Sequence, residues 1–182
     1  MATAKTGSFF LTESITIPGG TTTGGRIMGT MDIGAYVNVP TGQAIAIEEV
    51  DFVYQTANFS GNAEVMLLNN GTLTVQLTDL NPGSLLVRAD DQSLIASGAL
   101  NIDVSNNLVA HMTDLYPDNF GPVSLSEAFM VVNDTLYFTG GVDGATTAAG
   151  DIHITCRVKA RVVKLSSKDW MAIAIQSTAS DN

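Results

Sequence analysis

The sequence predicts an all-β fold, a two-sheet sandwich or barrel that ends in one short helix. The first observation is the run from Asp151 to Leu165, in which apolar and polar side chains alternate strictly from Ile152 to Val162. The second is a series of about eight short runs of β pattern, separated by turns rich in glycine, proline and asparagine. The third is the spacing of Ser166 and Asp169, which is typical of a helix start.

The run from Asp151 to Leu165 predicts a strand with one apolar and one cationic face, because successive side chains point to opposite sides. Residues 1–156 carry three basic and sixteen acidic side chains, net −13, whereas residues 157–182 carry five and two, net +3. A chain so polarised can dock its basic strand on the acidic surface of a neighbouring copy. The five basic residues are Arg157, Lys159, Arg161, Lys164 and Lys168.

An acidic cluster, Glu48, Glu49 and Asp51, lies on another predicted strand. Paired carboxylates can serve glycoside hydrolysis, but an exposed acidic face is the favoured interpretation. This face could meet the basic strand of another copy, or the same charges could pair across neighbouring strands of one chain; the sequence leaves both options open. If they meet between copies, reversing Lys159 and Arg161 to Glu should impair assembly and hardly change the unfolding of the monomer.

The earlier strands follow from alternation and turn chemistry. We expect strands over Ser8 to Ile17, Arg26 to Val39 and Ala44 to Gln55, because Pro-Gly-Gly, Pro40 and Thr-Gly separate these runs. The segment from Ala63 to Leu68 should form a hairpin with Thr72 to Thr78, since an Asn-Gly pair between them supplies the positive φ angles of a tight turn.

The later elements are less regular. Leu85 to Arg88, Ser93 to Ile95 and Leu100 to Val104 are further candidate strands, with Gly98 as a bulge. A second hairpin is expected between Ala128 to Val132 and Thr135 to Thr139, followed by a loop of small residues over 140–150.

Length and composition indicate one domain over residues 1–182, with an N-terminal arm over 1–7, a short helix over 166–176 and a frayed tail over 177–182. The N-terminus lacks an apolar signal core, and no segment approaches a transmembrane segment of about 20 apolar residues. A net charge of −10 disfavours strong nucleic-acid binding. The charged fraction of 14% is low, which indicates that much of the surface contacts other chains.

Few residues are available for catalysis or metal binding. The only histidines are His111 and His153, and the single Cys156 lies three positions from His153, so on a strand the two point to opposite faces. We therefore expect no enzyme, no catalytic residue, no metal and no cofactor. The acids Asp143 and Asp151, and the group Asp114, Asp118 and Asn119, are best interpreted as solvated loop residues.

Two other features could bind partners. The loop that contains Tyr116, Asp118, Asn119 and Phe120 is the one cluster suited to a ligand rim. Trp170 in the terminal helix is the best candidate for an anchor, either in the core or in a contact between subunits.

The chain resembles a family of viral proteins in the order of its segments. This order runs through Phe9-Phe10-Leu11, Asp32 to Val37, Ile45 to Phe52, Tyr116-Pro117 and the closing Val158 to Ile175. It is similar to that of the single jelly-roll major capsid proteins of tailless icosahedral viruses of bacteria and archaea. The resemblance implies a jelly-roll sandwich of two four-stranded sheets, present in many copies per shell. One departure is that the arm before Ser8 has only Lys5 as a basic residue, so a genome-binding arm is not evident.

The function expected from this resemblance is that of a capsid subunit in the virion, which self-assembles and contacts copies of itself and other virion proteins. Peripheral contact with a viral membrane is a further option. The alternatives are a tail or decoration protein of a virion, and a non-catalytic β-sandwich module that binds carbohydrate or another ligand.

Overall fold

The computed structural model describes residues 2–56, 63–115 and 128–179, without the side chains of 112–115 and 176–179. Within these residues, ten strands form two antiparallel five-stranded sheets, and one helix follows the last strand. The strands and helix are β1 (Thr3–Ala4), β2 (Phe9–Ile17), β3 (Arg26–Asp32), β4 (Gln43–Thr56), β5 (Gly71–Thr78), β6 (Leu94–Asp103), β7 (Leu108–Leu115), β8 (Phe129–Val131), β9 (Thr135–Asp143), β10 (Ile152–Lys164) and α1 (Ser167–Ala179).

The strand order is that of a jelly roll. In the first sheet the order is β2-β10-β4-β8, and β1 continues along the same edge of β10 as β2. In the second sheet the order is β3-β9-β5-β6-β7. Strands of the first half therefore pair with strands of the second half in nested order: β2 with β10, β3 with β9, β4 with β8, and β5 with β6. The predicted all-β sandwich is confirmed, with β1 and β7 adding a fifth strand to each sheet.

The core lies between the two sheets and is formed by the inward side chains of both. Strand β10 is central in the first sheet, and its alternate residues Ile152, Ile154, Cys156 and Val158 are fully buried. They pack with residues of the facing sheet such as Phe138, whose ring stacks on Phe52 at 5.8 Å between centroids. Removing this apolar surface from water is the main force that holds the sheets together.

A β-bulge interrupts the pairing of β4 with β10. Glu49 lies opposite Lys159, but the next residue of β10, Ala160, lies opposite Ile47, so Glu48 is an extra residue. The extra residue keeps the main core continuous, because the residues of β4 that face it occupy odd positions up to Ile47 and even positions from Val50 onward. The predicted irregularity at Gly98 is also present, as a register shift between Ser97 and Gly98 in the pairing of β6 with β7.

The second predicted strand was too long. It ends at Asp32 and not at Val39, because the Asp32 carboxylate accepts a hydrogen bond from the backbone N–H of Gly34 at 2.9 Å and turns the chain.

Both predicted hairpins were wrong. Ala63–Val65 is a short 3₁₀ turn, and the Asn70 side chain accepts a hydrogen bond from the backbone of Ser105, so the Asn-Gly pair does not connect two paired strands. Strands β8 and β9 pair in different sheets, because the chain crosses from one sheet to the other between them. Two further corrections concern 85–88, which is not a strand, and the predicted loop 140–150, whose first residues extend β9 to Asp143.

The terminal helix begins as predicted. The Ser166 hydroxyl accepts a hydrogen bond from the backbone N–H of Asp169 at 3.1 Å, which caps the first turn. The helix continues to Ala179 and so includes three residues assigned to the frayed tail, because neither glycine nor proline stops it earlier. None of the helices among the described residues is long and apolar enough to cross a membrane.

Candidate interaction surface

The outer face of the first sheet carries the charges singled out in the sequence. The side chains of β10 that point away from the core alternate with the buried ones, and strand pairing places Arg157 opposite Asp51 and Lys159 opposite Glu49. Arg161 lies one step beyond the bulge and reaches back to Glu48. The basic and acidic residues thus form adjoining rows on neighbouring strands of the same molecule.

Glu48 is the most buried of these charged groups, with only 5% of the residue exposed. Its carboxylate forms an ion pair with the Arg161 guanidinium and accepts a hydrogen bond from the Ser8 hydroxyl at 2.7 Å. Arg161 also donates to the Ser8 hydroxyl at 3.2 Å. A buried carboxylate is costly unless it is paired and hydrogen-bonded, and these contacts provide both. The bulge therefore has a structural role in the monomer.

The second ion pair is looser and more exposed. Lys159 Nζ lies 3.6 Å from Glu49 Oε2, and the exposed fractions of the two side chains are 36% and 23%. Exposed pairs of this kind contribute little to stability. Of the two options that the sequence left open, the structure contains the pairing within one chain for both glutamates.

Arg157 has a different neighbour on the edge strand. Its guanidinium lies 5.0 Å from the centroid of the Phe10 ring, an arrangement in which the cation is attracted to the face of the ring. Phe10 is 55% exposed, so this stacked pair is part of the accessible surface.

Lys164 and Lys168, the other two basic residues of 157–168, lie at one end of the first sheet. Lys164 is the last residue of β10 and pairs in register with Thr3, and the backbone N–H of Lys5 donates to the carbonyl of Val162 at 2.8 Å. Lys168 is in the first turn of α1 and is exposed. The predicted N-terminal arm is thus held against the end of β10, and Lys5, Lys164 and Lys168 share this end.

Trp170 packs on a second apolar cluster, outside the main core. Here α1 lies on the outer face of the first sheet, where Ala44 and Ala46 of β4 leave room for it. Trp170 is partly buried in this cluster with Ile173 and Ala174. The helix is therefore attached to the sandwich through an i, i+3, i+4 stripe.

A cavity of about 330 Å³ contains His111. The His111 and Tyr54 rings pack in an edge-to-face arrangement, with 5.8 Å between their centroids. The described lining is largely apolar and includes no carboxylate: Phe52, Val53, Tyr54, Ala63, Met66, Leu100, Val109 and His111. The sequence did not predict this cavity, because it forms between strands that are distant along the chain.

The other chemically interesting residues are not brought together in the described part of the chain. Cys156 is buried in the core, and burial raises the pKa of its thiol, whereas His153 lies on the outer face and bonds Thr16 at 3.0 Å. Asp143 pairs with Arg26 at 2.6 Å, and Asp151 accepts from the backbone of Gly19 at 3.0 Å. Among the residues described, no group of three or more His, Cys, Asp or Glu could hold a metal ion.

The candidate ligand loop lies outside the described residues. It comprises Tyr116, Asp118, Asn119 and Phe120, and the side chain of Asp114 is likewise outside them.

Asp79 is a buried carboxyl group that the sequence did not single out. It is 2% exposed, directly after β5, and burial raises its pKa from 3.8 to about 7, with a smaller contribution from Asp91. The Asn133 amide donates to its carbonyl at 2.9 Å and to its Oδ2 at 3.3 Å. No sequence signal marks this position, since its burial depends on the segment that leads into β6.

Comparison of the sequence with protein-family models and with curated proteins gave no match.

Proposed function

We propose that this protein is a non-enzymatic subunit of a virion shell and acts through contacts with copies of itself and with other virion proteins. The observation that carries the proposal is the nested strand pairing, in which β2 pairs with β10 in the first sheet and β5 pairs with β6 in the second. Jelly rolls with this order are common in viral capsid proteins, and they also occur in lectins and cupins. Because one fold hosts many functions, the strand order alone does not indicate the function, and properties of the surface are needed as further support.

The surface favours assembly in two ways. Only 14% of the residues are charged, whereas about 25% is typical of soluble globular domains. In addition, ten large hydrophobic side chains among the described residues are exposed. Exposed apolar groups of this kind are typical of interfaces when they cluster.

The electrostatic part of the proposal differs from the expectation drawn from sequence. Lys159 and Arg161 are engaged with glutamates of their own chain. We therefore assign the attraction between copies chiefly to Lys5, Lys164 and Lys168 at the end of the first sheet. These lysines would face acidic residues of the neighbouring copy.

Particle mass tests the proposal directly. The purified protein should form large closed particles or regular rings, seen by light scattering and by negative-stain microscopy on the same sample across a range of salt. A monomer at every salt and protein concentration would contradict a shell subunit. Open or irregular association would instead favour a tail or decoration protein.

A second candidate, a non-catalytic ligand-binding module, is favoured by the cavity beside His111. A cavity of about 330 Å³ with aromatic and aliphatic walls suits a small ligand with an apolar body. Chemical-shift changes of Tyr54 and His111 on titration with small aromatic compounds and sugars would support this candidate, particularly in a protein that stays monomeric.

A further inference from the structure

The cavity beside His111 lies between the two sheets, at the edge formed by β7. Strand pairing places His111 opposite Leu100 and Val109 opposite Ile102, and these two residues of β6 are buried in the main core. Because directly opposite residues share a face of the sheet, His111 and Val109 also point toward the first sheet. Both are nevertheless exposed, Val109 to 41%. In the described part of the chain, the sandwich is therefore open at this edge.

Three parts of the chain form the wall of the cavity. Phe52 and Tyr54 are inward residues of β4 in the first sheet. Met66 follows the 3₁₀ turn Ala63–Val65, which contacts both β6 and β7. The Phe52 ring lies close to Gly98 of β6, where an added Cβ atom would be 3.0 Å from the ring. Because these side chains belong to the packed core, the wall is formed before any ligand binds.

Polar side chains are scarce in this wall. Among the lining residues that the structure describes, only Tyr54 and His111 carry a polar group, and none carries a charged carboxylate, ammonium or guanidinium. A neutral imidazole has one nitrogen that donates a hydrogen bond and one that accepts. His111 is the more exposed of the two and therefore lies toward the mouth of the cavity.

The composition of the wall argues against three classes of small ligand. A charged ligand would lose its hydration without meeting an opposite charge in the described lining. A sugar would bury several hydroxyl groups, more than two polar side chains can satisfy. An aliphatic ligand would forgo the edge-to-face contacts that the Phe52 and Tyr54 rings offer, and the contact with the Met66 sulfur. An aromatic body with one polar group fits best.

We propose that this cavity binds a neutral aromatic compound of the phenol or indole class, with His111 accepting a hydrogen bond from its O–H or N–H group. The volume of about 330 Å³ is at the lower end of the range for ligand sites, which suits a ligand of one or two rings. The inference names the ligand class of the second candidate function and rests on that candidate. It does not depend on assembly.

Indole is the probe, and the methyl group of Met66 is the reporter. Titration is followed by NMR of protein labelled with ¹³C at the methionine methyl groups. Indole should shift the Met66 signal through the ring current with a Kd of about 0.1–1 mM, which corresponds to a modest ligand efficiency. The Met171 signal should not move, because α1 lies on the outer side of the first sheet.

Matched compounds test the ligand class. The compound 1-methylindole has the same rings but no donor, and it should bind roughly three- to tenfold more weakly because His111 then has no partner. Indole-3-acetate, cyclohexanol and glucose represent the charged, aliphatic and sugar classes. At the same concentrations they should leave the Met66 signal unchanged.

Two neighbouring residues of β7 provide a matched pair of variants. Val109→Trp should fill the cavity and abolish indole binding, and the exposure of Val109 leaves room for the larger ring. Leu108→Trp is the control, because Leu108 is 63% exposed and points to the opposite face of the sheet. It should bind indole as the wild type does. His111→Phe keeps a ring but removes the acceptor, so indole and 1-methylindole should then bind equally.

The outcomes separate the ligand class from the proposed function. If no compound shifts the Met66 signal, the ligand class and the second candidate are both overturned, and the shell subunit is unaffected. If glucose or cyclohexanol shifts it and indole does not, the second candidate stands and the ligand class is overturned. Unchanged indole binding by Val109→Trp with a native circular dichroism spectrum would also overturn the proposal. If Val109→Trp does not fold, the comparison of the two indoles in His111→Phe decides.

Discussion

The Arg161 guanidinium is ion-paired with Glu48, the extra residue of the bulge between β4 and β10. The pair joins two strands of the first sheet and also fixes Ser8, which precedes β2. The two charges of this pair therefore help to hold the fold of the monomer together, in addition to contributing to its surface.

Replacing Arg161 should destabilise the monomer. Arg161→Ala leaves the Glu48 carboxylate buried without its cation, and we expect a loss of about 2 kcal/mol in the free energy of unfolding, less than for a fully buried pair because the Arg161 side chain is 31% exposed. Lys159→Ala is the matched control and should change stability by less than about 0.5 kcal/mol. Urea denaturation measures both. Equal stabilities of the two variants would contradict a structural role for the bulge.

Asp79 should make stability depend on pH near neutrality. Its pKa is raised to about 7 in the folded protein, so between about pH 4 and 7 the native state holds a proton that the unfolded chain releases. The contribution of this carboxyl group to the free energy of unfolding is therefore greatest below about pH 4. It falls as the pH rises from about 4 to 7 and is lost above pH 7. Asp79→Asn should be more stable than the wild type at pH 8, and this advantage should shrink by roughly 2–3 kcal/mol at pH 5. Urea denaturation at both pH values measures it, and a constant difference would argue against the shifted pKa.

Position 141 in β9 requires a glycine, because the backbone of Gly25 passes close to it. A Cβ atom at this position would lie 2.3 Å from the carbonyl oxygen of Gly25, a backbone atom that cannot move aside alone. Gly141→Ala should lower the free energy of unfolding by about 2–3 kcal/mol. Gly150→Ala is the control, because a Cβ atom added at Gly150 would meet nothing within 4 Å beyond its chain neighbours, and this variant should be nearly neutral. Thermal unfolding of the two variants compares them, and a neutral Gly141→Ala would disprove the steric argument.

The Cys156 thiol should react only after unfolding. It is fully buried, and burial raises its pKa, so little thiolate is accessible in the native state. Labelling with iodoacetamide at pH 8 should follow the urea unfolding curve. Rapid labelling without denaturant would show that the core opens locally around β10.

The elements that the sequence predicted correctly are those that depend on residues close together along the chain. Strands β2, β4 and β10 follow from alternation, and the start of α1 follows from Ser166 and Asp169. The last strand also revealed that Arg157, Lys159 and Arg161 lie on the outer face, because their positions follow from parity alone.

What the sequence did not reveal depends on partners distant along the chain. Gly140 and Gly141 were assigned to a loop of small residues, yet in β9 they allow close contact with Ile15 and Gly25. Strands β8 and β9 resemble a hairpin in sequence, but each pairs with strands far earlier in the chain, β8 with β4 and β9 with β3 and β5. The cavity and the buried Asp79 arise from the same long-range packing.

The nested pairing also determines when the chain can fold during synthesis. Strand β10, the central strand of the first sheet, is the last of the described strands to be synthesised, and it pairs Ile154 in register with Ile15, far earlier in the chain. Before Lys164 leaves the ribosome, β2 and β4 have no strand between them and expose their apolar faces. The nascent chain must therefore remain protected until β10 has been synthesised, and premature termination before β10 should yield an aggregating product.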